Sequence, residues 1–153
     1  MLNPAPVTSG LVELFGLGPV LTPNSSELGE LRTLLGGARD GAVSDMAADL
    51  AARTQAPVVV TLGGAGVLVA ESDGAVAALP ARQIAEVRDT TGAGDTFNGV
   101  FASALAAGAT VLNASSRGVT AASPSVGWVG ARAGMPRSDA IDAAHKSADP
   151  DRC

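Results

Sequence analysis

The apolar positions of this chain follow two rhythms. Between Pro57 and Gly63 the run Val58-Val59-Val60-Thr61-Leu62 is β-branched and nearly unbroken, the pattern of a buried strand typical of a parallel sheet. Gly63-Gly64-Ala65-Gly66 turns the chain into Val67-Leu68-Val69. Glu71-Ser72-Asp73-Gly74 turns it again into Val76-Ala77-Ala78-Leu79, and these last two runs predict a hairpin. Elsewhere the spacing is helical. Residues 44–54 set Met46, Leu50 and several alanines on one side, with Asp45, Asp49 and Arg53 on the other. Thr96 to Ala107 predicts a helix with Phe97, Val100, Phe101, Ala104 and Leu105 facing inward, ended by Gly108. Residues 113–123 predict another helix, interrupted at Pro124, which has no N–H to donate.

Shorter signals fill the gaps. Leu2 leads into Asn3-Pro4-Ala5-Pro6 as the end of a strand leaving a core, with no earlier residues to begin it. Residues 13–18 predict a short helix or turn, and 19–24 a short buried strand stopped by Pro23. Ser25 or Ser26 is placed to cap a helix that Gly36-Gly37 ends. Residues 127–136 form a Gly-rich loop, and Ser138 caps a last short helix. Residues 1–145 are expected to form the domain and 146–153 a frayed tail. Helices alternating with apolar strands predict a layered α/β fold with a mostly parallel sheet.

Composition narrows the partners. The 153 residues are 46% hydrophobic, enough for one domain with a core and too apolar for a disordered chain. The net charge of −5 and ten scattered Lys and Arg argue against nucleic acid, whose phosphates need a basic face. One cysteine, Cys153, excludes an internal disulfide, and with His145 as the one histidine a zinc site is not expected. No apolar run spans a membrane and no basic-then-apolar leader is present, so a cytoplasmic protein with no membrane partner is expected.

Chemistry concentrates at Asp89-Thr90-Thr91-Gly92-Ala93-Gly94-Asp95, just before an apolar helix. The first N–H groups of a helix are unpaired and carry partial positive charge, so they attract an anion, and glycines let the backbone approach it. A carboxylate there repels phosphate unless it has another task, such as taking a proton from an attacking hydroxyl. On spacing alone Asp95 is equally a plain first-turn acid and the glycines plain loop formers. Thr61 to Gly66 ends a buried strand, where α/β proteins bind ligands, and alone it reads better as a simple turn. Asn24 and Glu27 sit at another strand-to-helix junction, as helix caps or as polar contacts to a nucleotide and its hydrated magnesium. No early strand carries the GxGxxG of a dinucleotide-binding domain.

Together and in this order, these segments resemble the C-terminal half of the ribokinase, or PfkB, family of sugar kinases. The run at 89–99 resembles the family signature. Residues 2–6, 22–27, 58–68 and 130–136 resemble its flanking segments. The resemblance implies a ribokinase-like layered α/β fold, without the N-terminal strands and the β lid that closes the sugar site. It implies transfer of the ATP γ-phosphoryl to a sugar hydroxyl, the 5-hydroxyl of D-ribose first, with fructose or another family sugar as the alternative.

In that reading Asp95 is the catalytic base, and Gly92, Ala93 and Gly94 form the anion hole. Asn24 contacts nucleotide, Glu27 is linked to Mg2+, and Thr61, Gly63, Gly64 and Gly66 line the nucleotide loop. An activating K+ would take oxygens from Asp89, Thr91, Ser125, Trp128 and Gly130. Full-length relatives allow a homodimer. The sequence departs from the family pattern at Val119, Pro124, Arg132 and Gly134, the last replacing a frequent serine beside the potassium site. The competing reading is a non-catalytic truncated or split kinase that binds nucleotide weakly or pairs with another chain.

Overall fold

The computed structural model describes residues 1–148. The chain divides into two compact units, Met1–Leu79 and the residues from Pro80 onward. No helix of the described residues is long and apolar enough to cross a membrane.

The first unit is built on Leu21. Its N–H donates to the Pro57 carbonyl at 3.0 Å, and its carbonyl accepts the Val59 N–H at 2.8 Å. On its other side the Leu2 N–H reaches the Val20 carbonyl at 2.8 Å, and the Thr22 N–H returns to Leu2 at 3.0 Å. These contacts make parallel bridges Leu2↔Leu21 and Leu21↔Val58, and a third bridge joins Asn24 to Thr61. The parallel share of the sheet therefore consists of isolated bridges between extended segments. The regular ladder is antiparallel, in the order β1 (Val58–Thr61), β2 (Val67–Ala70), β3 (Val76–Leu79). The hairpin expected between β2 and β3 is present, and the glycine turn folds β1 back on β2 as a second one.

Val58, Val59 and Val60 are fully buried, as their β-branched run requires. Leu21, Val58, Val60, Leu68 and Ala70 pack with Leu28 and Leu31 of α2 (Ser25–Leu34) and Met46, Ala47, Leu50 and Ala51 of α3 (Val43–Thr54). A short helix α1 (Val12–Phe15) contributes Phe15 to this core. Asp49 of α3 holds α2 through Arg32 at 3.2 Å and pairs with Arg53 at 3.0 Å along its own helix. The Arg53 hydrogen bond first, with that of Arg32, outweighs desolvation and holds its carboxyl below the ordinary aspartate value. The cap of α2 is Asn24 rather than either serine. Asn24 is extended while Ser25 and Ser26 are already helical, so only its side chain reaches the free N–H groups of the first turn.

The second unit packs α4 (Ala93–Ala106) on α5 (Val111–Ser125), with α6 (Ser138–Ala148) against α5. Helix α4 starts three residues before the predicted Thr96. Phe97, Phe101 and Ala104 are buried as expected, whereas Val100 and Leu105 are half-buried. The Phe97 and Phe101 rings stack at 5.6 Å. Helix α5 begins at Val111 behind the Thr110 cap and runs through Pro124, which does not interrupt it. Pro124 lies in the last turn of the helix and is exposed. Ser138 is the first helical residue of α6 instead of its cap. The helix continues to Ala148, into the segment expected to fray, and Cys153 lies outside the described residues. Arg117 and Asp142 pair between α5 and α6.

A Cβ at Gly118 of α5 would lie 2.6 Å from the Phe97 ring, so a bare backbone there is what lets the two helices close. The expected outcome for Gly118→Ala is a loss of about 1–3 kcal/mol from overpacking, read as a lower urea midpoint with an unchanged slope.

Candidate functional site

The sequence-predicted residues fall into two groups, one in each unit. In the first unit, Asn24 Oδ1 accepts the Glu27 N–H at 2.9 Å, and Glu27 Oε2 accepts the Asn24 N–H at 2.7 Å. This is a capping box, and it uses one polar atom of each side chain. The Asn24 amide NH2 and the second Glu27 carboxylate oxygen keep no partner among the described residues. Thr61 lies beside Asn24, its N–H on the Pro23 carbonyl at 2.9 Å. The turn after β1 is a 3-10 turn over Gly63–Ala65. Gly63 (φ +57°) and Gly66 (φ +98°) adopt backbone that a side chain would strain. The space beside Gly63 and Gly64 is open, so this backbone can be approached closely.

In the second unit, Gly92 is the N-cap of α4 in a left-handed conformation, φ +79°. A Cβ there would also meet Ala131 at 2.8–2.9 Å, so Gly92 is required both by its φ and by the passing late loop. No local pattern signals the Ala131 contact, because it joins positions far apart in the chain. Ala93, Gly94 and Asp95 are the first three helical residues, whose N–H groups find no partner inside the helix. The Ala93 N–H is turned back onto the Thr90 carbonyl at 3.2 Å. Among the described residues the N–H groups of Gly92, Gly94 and Asp95 have no hydrogen-bond partner. Asp95 is exposed, and its carboxylate has no hydrogen-bond or ion-pair partner among the described residues.

Asp89 ties this loop to the late one. Its Oδ1 accepts the Thr91 N–H at 2.9 Å and its Oδ2 the Gly130 N–H at 2.8 Å. The Thr91 side chain, the Thr91 N–H and the Gly130 N–H together hold its carboxyl below the ordinary aspartate value. The end of α5 joins the same loop. The Ser125 carbonyl accepts the Trp128 N–H at 3.4 Å, and its oxygen sits 2.1 Å from where a Cβ at Gly134 would be. Trp128 itself is exposed.

A cavity of about 440 Å³ in this unit is lined by Gly99, Ser103, Arg117 and Ile141, among others, and includes none of the predicted residues. In the first unit a cavity of about 380 Å³ adjoins Ser25 and Ser26 at the start of α2, also without them. Among the described residues no cluster of three His, Cys, Asp or Glu side chains could hold a metal ion.

Residues 1–138 match the model of the pfkB family carbohydrate kinases. The chain is 33% identical over 143 residues to a ribokinase of Lactococcus lactis, covering 94% of this chain and 44% of that enzyme. It superposes on the ribokinase of Thermotoga maritima with a TM-score of 0.80 at 32% identity, over 94% of this chain and 48% of the other. The ribokinase of Arabidopsis thaliana matches with a TM-score of 0.74 at 28% identity, over 88% and 43%. The chain thus spans slightly less than half the length of these relatives. Its sequence match and its ribokinase-like α/β fold agree, and the chain belongs to the pfkB family of carbohydrate kinases.

Proposed function

We propose that this chain is the nucleotide- and phosphoryl-handling part of an ATP-dependent sugar kinase, with D-ribose, phosphorylated at its 5-hydroxyl, as the preferred sugar. The ribokinases it resembles support ribose, and the Arabidopsis enzyme was solved with ribose and ATP bound.

One contrast carries the reading of Asp95. Glu27 and Asp95 occupy the same place, the third residue of a helix. Glu27 folds one carboxylate oxygen back onto its own cap. Asp95 makes no such bond, and its helix has no side-chain cap at all. A free carboxylate beside unpaired N–H groups suits proton transfer next to a developing phosphoryl charge. The sugar hydroxyl oxygen bonds to the γ-phosphorus as the bond to the bridging oxygen breaks. Its proton passes to Asp95, and ADP leaves with the electron pair. The N–H groups of Gly94 and Asp95, next to Gly92 and Ala93, stabilise charge on the transferring group.

Asn24, through its amide, and Thr61, Gly63, Gly64 and Gly66, through exposed backbone, contact nucleotide. Magnesium needs no protein cage, because it keeps waters and binds chiefly through phosphates. The free Glu27 oxygen fits a contact to that hydrated ion, which would supply charge neutralisation on the phosphates.

A second reading rests on coverage. The chain spans 44% of the Lactococcus relative. It would then be a nucleotide-binding half that needs the remaining length, on the same or another polypeptide, before sugar binds. Under this reading the 153-residue chain by itself shows no ribose-dependent ADP release, and turnover at an enzymic rate in a coupled assay would overturn it.

Two substitutions test the roles. In any form that turns over sugar, Asp95→Asn is expected to lower kcat by about 100- to 10,000-fold while leaving ATP affinity nearly unchanged by calorimetry. Retained turnover would remove Asp95 as the base. Asn24→Ser keeps a good cap and so the thermal midpoint, but loses the amide. A fall in ATP affinity at unchanged stability is expected, and equal affinity would leave Asn24 a cap alone.

A further inference from the structure

The family resemblance assigns a potassium ion to Asp89, Thr91, Ser125, Trp128 and Gly130, and at Asp89 and Ser125 the oxygens it would need already have N–H partners. A monovalent cation needs several oxygens turned to a common point. The Ser125 carbonyl lies against the Gly134 backbone, where a Cβ would come within 2.1 Å of it. It also receives the Trp128 N–H. Gly134 brings no hydroxyl to replace it. The Asp89 carboxylate already accepts the Thr91 N–H on Oδ1 and the Gly130 N–H on Oδ2, so both of its oxygens are engaged.

Two residues that depart from the family pattern meet here. Pro124 occupies the last turn of α5, and Ser125 closes that helix with its carbonyl packed on Gly134. Only glycine fits at 134 once that carbonyl is in place. The Asp89 bonds meanwhile do what a bound cation would do. They neutralise the carboxylate with N–H dipoles and bind the 127–130 loop to the loop before α4.

We infer that this chain holds the loops around the α4 N-terminus with its own N–H groups on Asp89 and has no activating monovalent-cation site. The inference takes its ligand set from the family reading, but its test uses no nucleotide and no sugar. Failure of the kinase proposal therefore leaves this test intact, and the reverse also holds.

Trp128 is the one tryptophan of the chain and lies in the loop concerned, so its emission reports on that loop alone. Potassium chloride is titrated against tetramethylammonium chloride at constant ionic strength, following Trp128 emission and Tm. An ion bound to the folded state at roughly a hundred times its Kd would raise Tm by several degrees. The expected result is no saturable change in either signal. A saturable, potassium-specific shift in either one overturns the inference.

Two variants hold the proposal to a positive result. Asp89→Asn is expected to shift Trp128 emission to the red and raise its quenching by acrylamide, equally in both salts. Unchanged emission would show that Asp89 does not order the loop. Gly134→Ser is expected to lower Tm equally in both salts, because its Cβ meets the Ser125 carbonyl. Potassium-dependent stabilisation of that variant would show that the carbonyl opens to a cation, and would also overturn the inference.

Discussion

The second unit depends on the contact between the Phe97 ring and the bare backbone at Gly118. Two helices that bury few large side chains can close only if one of them yields room, and glycine yields the most. Phe97 then stacks on Phe101, and together they fix the axial position of α4 against α5. Asp95 lies two residues before Phe97, so the same contact sets where the free carboxylate and the unpaired N–H groups stand. Helix packing and candidate chemistry thus rest on one constraint.

A similar economy holds in the loops. Asp89 does not point outward as a solvated acid. It gathers N–H groups from two segments and so keeps a Gly-rich stretch in one arrangement. Gly92 lets the late loop pass at Ala131, and Gly134 lets it pass at Ser125. Glycines here serve close approach more than mobility. In the first unit the corresponding device is the Asn24–Glu27 capping box, which fixes the start of α2 next to Thr61 and leaves one polar atom of each side chain free. The two helix starts carry an acid at the same position and treat it in opposite ways. One closes a capping box through one oxygen, and the other stands as a candidate base.

The regular elements were legible in the sequence wherever a local rule was strong. The β-branched run at 58–61, the hairpin after it and the apolar face of α4 follow from burial periodicity. Boundaries were less legible. Both serines after Asn24 resemble caps, and only the backbone decides which residue stands outside the helix. Pro124 reads as a break because proline usually is one, yet the helix runs through it to Ser125. The antiparallel ladder could not be told from a parallel one, since a fully buried strand looks the same in both.

By itself the sequence determined the family, the order of the elements and the stretch 89–95 as the place to look, because motif chemistry and hydrophobic period are local properties. The tertiary structure decided which atoms there are free. The Ala93 N–H is used by Thr90, Asp89 is used by Thr91 and Gly130, and the Ser125 carbonyl receives the Trp128 N–H. Among the described residues the Asp95 carboxylate has no partner. Such facts depend on backbone paths brought together from distant positions, and no local pattern records them.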